Sequence, residues 1–314
     1  MEQDFLRGVF DMHVHSHPDI APRKTNDIEL AQKAAEAGMG GLLLKAHHGS
    51  TVERAYLVQQ MVPAIRVCGG VVLNYPVGGL NPHAVDVYIR LGAKEVWMPS
   101  LSADYMLSYM KTHASTEERL AFNKAHGAAS PTASEKSSHG DSWPWSRNGR
   151  GISIFDERDK LREEVWNILE ILAASDAMLG TAHLSVPEIH ALVEAAQQMG
   201  VKRVLVTHPE YMAPLSIEDQ LVLARKGVFF ERCLVGTTEA TRAIGGCLPF
   251  DVFVKNIRAV GVDSTVLGTD FGQATNEHPV LAMMDYVQRL HKAGFSESEI
   301  ERMAIKTPAA LLNF

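Results

Sequence analysis

The chain has 314 residues, 46% of them hydrophobic and 21% charged, a composition that sustains a large core and excludes a disordered chain. Its net charge of −7 argues against nucleic acid or an anionic membrane as the main partner. Three cysteines, Cys68, Cys233 and Cys247, are odd in number and not at metal-ligand spacing. With the charged opening MEQDFLRG and no apolar run of ~18 residues, they read as reduced thiols of a cytoplasmic protein.

Short apolar runs alternate with helical segments along the chain. Strands are expected at Gly8–His15, Gly41–His47, Arg66–Leu73, Glu95–Met98, Met178–His183, Arg203–His208, Val228–Cys233 and Ser264–Thr269. Each is short and mostly apolar, the pattern of a parallel strand buried on both faces. Helices are expected at Asp27–Ala37, Val52–Met61, Pro82–Leu91, Arg158–Ala173, Val186–Met199, Ile217–Arg225, Pro249–Val260 and Pro279–Ala293. Asn26 or Asp27 caps the first, and Ser216 opens the one that stops near Gly227.

This alternation fits a single α/β domain over residues 1–314, a (β/α)8 TIM-type barrel. An open doubly wound sheet would alternate too, but no glycine-rich phosphate loop follows the first strand. The exception to regular spacing is Pro99–Arg150. Poor in aliphatic residues in its later part, it is expected to make a lid-like insert after strand four, over residues 100–156. A short hairpin, Gly151–Phe155 turning at Asp156–Asp159, closes it, and Trp143 and Trp145 either cover a substrate or anchor the loop. Ser296–Phe314 reads as two short helices closing the barrel.

Five of the 14 histidines precede residue 49. The first strand ends DMHVHSHPD, and strand alternation puts Asp11, His13 and His15 on one face. Two imidazoles so spaced at a barrel mouth can hold one metal ion. Other strands end LLLKAHHGS, GTAHLS, VTHPE and LGTDFGQ, placing His47, His183, His208 and Asp270 where an apolar run leaves the core. Barrel enzymes take their catalytic residues from these strand ends, so a metal site is expected there.

That order of residues resembles the ligand pattern of the amidohydrolase superfamily: His13, His15, His183, His208 and Asp270. The ending IKTPAALLNF is similar to the Asn-Pro-Ala-x-Leu-Leu tail of that superfamily. The wording DMHVHSHPD with LKAHHGST and VGGLNPHAV resembles one cytosolic branch of it, which supplies no substrate. The resemblance implies a metal-dependent hydrolase acting on an amide, lactone or other ester of a small polar molecule. It makes Asp270 the group that moves a proton from water to the leaving group, with His208 or His183 stabilising an oxyanion in a one-metal site.

Neutral imidazoles and a carboxylate suit zinc before manganese, iron or nickel. Binuclear members carry a carboxylated lysine or a glutamate at the end of strand four; here that strand ends KEVWMPS and offers neither. One or two ions are therefore expected, depending on Lys45. Lys45 and His47 share parity on strand two, so Lys45 either binds a substrate anion or, carboxylated, bridges two metals. His47 is a ligand or supports one, with His48 turned aside. The histidine after strand two also resembles the polymerase-and-histidinol-phosphatase phosphoesterases, whose later motifs end Asp-x-His where this chain has Asp270-Phe271-Gly272. Phosphoester hydrolysis, decarboxylation and a barrel that binds a metal or metabolite without turnover are the alternatives.

Of Glu231 and Arg232, one is expected to face the mouth, and Arg232 is the candidate clamp for a substrate carboxylate or phosphate. Arg23, Lys24 and His17 read as loop or supporting residues, and His113, His126 and His139 as ordinary loop residues. Asp11 is expected to orient a ligand histidine, and GGVVLN to be only a turn. Oligomeric state is open.

Overall fold

The computed structural model describes residues 5–128, 145–147 and 149–314. Eight parallel strands follow in chain order around one sheet: β1 (Phe10–Val14), β2 (Gly41–Leu44), β3 (Arg66–Val72), β4 (Glu95–Trp97), β5 (Met178–Gly180), β6 (Val204–Thr207), β7 (Phe229–Cys233) and β8 (Thr265–Gly268). A parallel bridge between Val14 and Phe271 closes the ring. The fold is the (β/α)8 barrel. Helices α1 (Asp27–Glu36), α2 (Val52–Met61) and α3 (Pro82–Arg90) follow the first three strands. Asn26 caps α1, its side chain accepting from Glu29 N at 2.9 Å, and so satisfies one of the donors a helix start leaves unpaired.

Both faces of each strand are buried. Outward residues such as Leu42, Leu44 and Val14 pack under the helices, while Phe10, Leu43, Val72, Leu205 and Val266 fill the interior, joined by Leu311 and Leu312 from the C-terminus. Each such aliphatic side chain contributes about 1.5–3 kcal/mol when fully buried, so the interior is a packed plug. The open end of the barrel is left to the residues just past each strand. Among the described residues, no helix is long and apolar enough to cross a membrane.

The segment after β4 departs from expectation. It carries two helices, α4 (Asp104–His113) and α5 (Thr116–Ala125). The first buries Met106, Leu107 and Met110, and the second opens with a capping box in which the Ser115 and Glu118 side chains bond reciprocally to the backbone. Trp145 is buried in the same cluster with Leu101 and Met212, which supports the anchoring reading for it. Trp143 and His139 lie outside the described residues. The turn at Asp156 is present, Asp156 N donating to Lys160 O at 2.7 Å, and the following helix α6 starts only at Glu163 and runs to Ala173.

The remaining helices are α7 (Val186–Met199), α8 (Ile217–Arg225), α9 (Phe250–Val260), α10 (Pro279–Lys292), α11 (Glu297–Glu301) and α12 (Thr307–Leu311), the last two joined by a π turn. Two 3-10 turns, Leu234–Thr237 and Glu239–Ile244, follow β7. The expectation for Ser296–Phe314 is met.

Candidate metal centre

The first strand does not keep strict alternation. It pairs Phe10 with Gly41 and Asp11 with Leu42, then resumes as Val14 with Leu44, so β1 holds one extra residue. Phe10 and Met12 pack inside the barrel and Val14 outside, and the bulge lets His13 and His15 turn inward after Met12. Asp11 is thereby moved off the face of the histidines. Its carboxylate accepts from Thr269 N at 2.8 Å, Thr269 Oγ1 at 2.6 Å and His13 N at 3.2 Å. Burial pushes it up to about 7 against those hydrogen bonds. It fixes the backbone of β1 against β8 and does not touch an imidazole ring.

His13 Nε2 and His15 Nε2 lie 3.2 and 3.0 Å from the same oxygen, Asp270 Oδ1. Gly268 is needed beside them, because a Cβ there would sit 2.9 Å from His13 Cβ. On its other side His13 Nδ1 meets Glu231 Oε2 at 3.0 Å. A carboxylate in that position holds a ligand histidine in one orientation. Cys233 Sγ is 3.6 Å from the same nitrogen.

Glu231 and Cys233 are therefore the inward residues of β7, and Arg232 faces the other way. The candidate clamp is corrected: Arg232 is fully buried behind the sheet. Its guanidinium pairs with Glu210 and donates to Gln220 Oε1 at 3.1 Å. A strand places neighbours on opposite faces, and both faces of this one are buried.

His183 and His208 stand across the mouth with ring centroids 4.9 Å apart. His183 Nδ1 is 3.0 Å from Met106 Sδ of the insert, and His208 stacks on Tyr211 at 4.3 Å. The chain leaves three strands through left-handed residues, Ala182 (φ 46°), His208 (φ 37°) and Asp270 (φ 54°). Such backbone costs roughly 1–3 kcal/mol per residue and collects at functional sites.

Lys45 and His47, just past the end of β2, both line the mouth. Lys45 is buried with its ammonium 5.3 Å from the Trp97 ring centre. The His47 ring is 4.9 Å from that of His15, and its Nδ1 bonds the Ser100 hydroxyl at 2.9 Å. His48 turns aside to Asp19, at 3.3 Å.

Asn74 and His126 differ from their sequence expectations, a turn and an ordinary loop residue, and no expectation was attached to Glu95. Asn74, in GGVVLN, is no mere turn residue: it donates to His47 O at 3.0 Å and Ser100 Oγ at 2.9 Å and accepts from Ser100 N at 2.9 Å. His126, at the end of α5, stacks on Phe122 at 3.9 Å and stands 5.9 Å from the His47 ring. It is a mouth residue delivered by the insert. Glu95 lies in the barrel with both oxygens buried and unpartnered. Burial, then Glu231, pushes it well above the carboxylate range against Lys45.

Burial also sets the state of the imidazoles. It lowers His13 and His208 to about 3 and His126 to about 4, and it drives His15, His47 and His183 well below the usual histidine range. All are neutral at pH 7 and present lone pairs. His13 Nε2, His15 Nδ1 and His208 Nδ1 are buried without a hydrogen-bond partner. His13, His15 and Asp270 bring donor atoms within 4.8 Å of one another. Unprotonated nitrogens around a carboxylate oxygen form a donor set that fits a divalent cation.

Lys45, His47, His126, His183, His208 and Asp270 line one cavity of about 30 Å³, room for little more than one or two waters. A larger one, about 260 Å³ beside Phe5, Val9 and Ile300, lies toward the start of β1. No metal-donor group gathers there among the described residues.

A family model, described as a family of unknown function (DUF6282), matches residues 8–231. The chain belongs to DUF6282. The family match ends at Glu231, short of Asp270. No curated protein matches the sequence.

Among solved structures, an amidohydrolase from Pseudomonas aeruginosa is similar over 99% of this chain and 97% of its own, with TM-score 0.59 and 11% identity. 2,6-Dihydroxybenzoate decarboxylase from Rhizobium is similar over 98% and 99%, with TM-score 0.54 and 9% identity. An amidohydrolase from Burkholderia multivorans with bound zinc covers the same shares with TM-score 0.53 and 11% identity. At these identities the likeness is one of fold.

Proposed function

We propose that this DUF6282 chain is a metal-dependent hydrolase that cleaves an amide, lactone or ester of a small polar molecule. The observation that carries the reading is the meeting of His13 Nε2 and His15 Nε2 on one Asp270 oxygen, in a site whose burial keeps imidazoles unprotonated. His13, His15, His183, His208 and Asp270 would hold the ion, with His47 beside them. Zinc suits the donors, and a zinc-bound amidohydrolase shares the fold. When bound, a divalent ion lowers the pKa of water to roughly 7 and polarises a carbonyl oxygen.

The protein's own groups do the rest. Asp270 accepts the proton of the attacking water at Oδ2, the oxygen 3.5 Å from the Tyr211 hydroxyl, and returns it to the leaving group. Burial keeps Tyr211 protonated, well above the phenol range, so it remains a hydrogen-bond donor. In a one-metal site, His208 or His183 would instead stabilise the developing oxyanion.

Phosphoester hydrolysis draws support from Lys45, but Arg232, the second cation it needed, is turned away. Decarboxylation is a chemistry of one fold neighbour.

Elemental analysis tests the reading first. Protein purified without added metal should carry one or two equivalents, lost on His13→Ala with His183→Ala. A screen of amides, lactones, esters and phosphoesters should then find a turnover that Asp270→Asn lowers by at least about 10²-fold. Failure to bind zinc or manganese even when added would sink the hydrolase.

A further inference from the structure

The loop after β1 contributes a buried arginine that the hydrolytic machinery does not use. The Arg23 side chain is 1% exposed. Its Nε donates to Asp19 Oδ2 at 2.9 Å and Nη2 lies 2.8 Å from the same oxygen. Neither Nη1 nor Nη2 makes a hydrogen bond of good geometry, although both are buried. Burying a guanidinium is costly unless its donors are met.

The loop is tied to the mouth from two sides. The backbone of Arg23 pairs antiparallel with that of Gln273, a cavity residue, and Lys24 N donates to Gly272 O at 2.8 Å. Ile20 abuts Gly127, the residue after His126. Arg23 is the largest charge acting on His15, and it also acts on His47 and His126. Asp19 is held well below the carboxylate range, the His48 hydrogen bond and the Arg23 charge outweighing burial, so the pair stays ionic. A second buried cation, Lys45, stands against the Trp97 ring face.

With Asp19 on its Nε and Nη2 side, the guanidinium keeps its Nη1 end unpaired, and that end suits a carboxylate oxygen. We propose that Arg23, with the Lys45 ammonium adding charge, holds a carboxylate of the substrate, so that the enzyme acts on a small carboxylic acid derivative. This rests on the mouth being the substrate chamber of the proposed hydrolase, and not on which bond is cut.

Calorimetric titration with malonate, malonamide and inorganic phosphate tests it, on zinc-loaded and on chelator-treated protein, with zinc content measured in parallel. Malonate should bind the wild type and weaken at least about tenfold in Arg23→Gln. Because that variant orphans Asp19, the Asp19→Asn/Arg23→Gln double variant is the decisive one and should lose the same affinity while keeping its zinc. Arg23→Lys, which keeps the charge and loses the fork, should also fall short of the wild type. Malonamide should bind no better to the wild type than to the variants.

Equal malonate affinity in the double variant and the wild type overturns the assignment even if zinc binds. Phosphate binding more tightly than malonate, in an Arg23-dependent way, overturns the carboxylate class. Arg23-dependent malonate binding by protein that takes up no zinc would instead keep this subsite and sink the metal centre.

Discussion

Glu231 meets the proposed ligand His13 on the nitrogen opposite Asp270, at 3.0 Å, and it does so without any access to solvent. An outer carboxylate of this kind fixes the ring and raises its basicity, and its loss typically costs 10–100-fold in metal affinity. Glu231→Gln keeps an acceptor and should weaken zinc binding by about tenfold; Glu231→Leu should approach a hundredfold. Competition against a chromogenic chelator reads the difference directly, and unchanged affinity in both variants would reduce Glu231 to packing.

Residue by residue, the ligand types at the strand ends were legible because each stands where an apolar run stops. Which of two neighbours faces inward was not. In β7 both faces are buried, so Glu231 and Arg232 carry no hydropathy difference to set the parity. In β1 one inserted residue changes the parity between Asp11 and His13, and nothing in the run FDMHV announces it.

At the scale of elements, the eight strands were legible in order, and the expected β1, β2, β5 and β6 ran on past the last ladder pair to His15, His47, His183 and His208. Helices α4 and α5 were not read, although Met106, Leu107 and Met110 recur at helical spacing and Ser115-Thr-Glu-Glu118 is a capping-box pattern. The polar stretch that follows them dominated the composition of the whole segment.

Their reading matters because α5 delivers His126 to the mouth, seated on Phe122. Phe122 is 6% exposed and belongs to a satellite cluster shared with Trp145 and Ile244, separate from the barrel interior. Phe122→Ala should therefore loosen the insert and leave the barrel intact. Hydrogen exchange should speed up across Thr116–Ala125 by at least about tenfold, equivalent to roughly 1.4 kcal/mol, with β1–β8 unchanged. Exchange rising equally in the strands would show that the insert and the barrel open as one unit.

Across the whole molecule, the proposed ligands are drawn from the ends of β1, β5, β6 and β8, so a bound ion would tie distant parts of the ring together. Burial keeps these imidazoles unprotonated, and at neutral pH a cation therefore need not displace protons from them. The unfolded chain has no such assembled site, which makes metal binding a contribution to folding stability. Free zinc at 100–1,000 times its Kd would stabilise the barrel by about 3–4 kcal/mol. For a chain of this length that is a rise of roughly 5 °C in Tm. Chelation should lower Tm by that amount and added zinc restore it, as read by circular dichroism. The His13→Ala/His183→Ala variant is the control: because it lacks two of the donors, its Tm should ignore both treatments. A chelator response that survives in this variant would place the stabilising ion elsewhere in the chain.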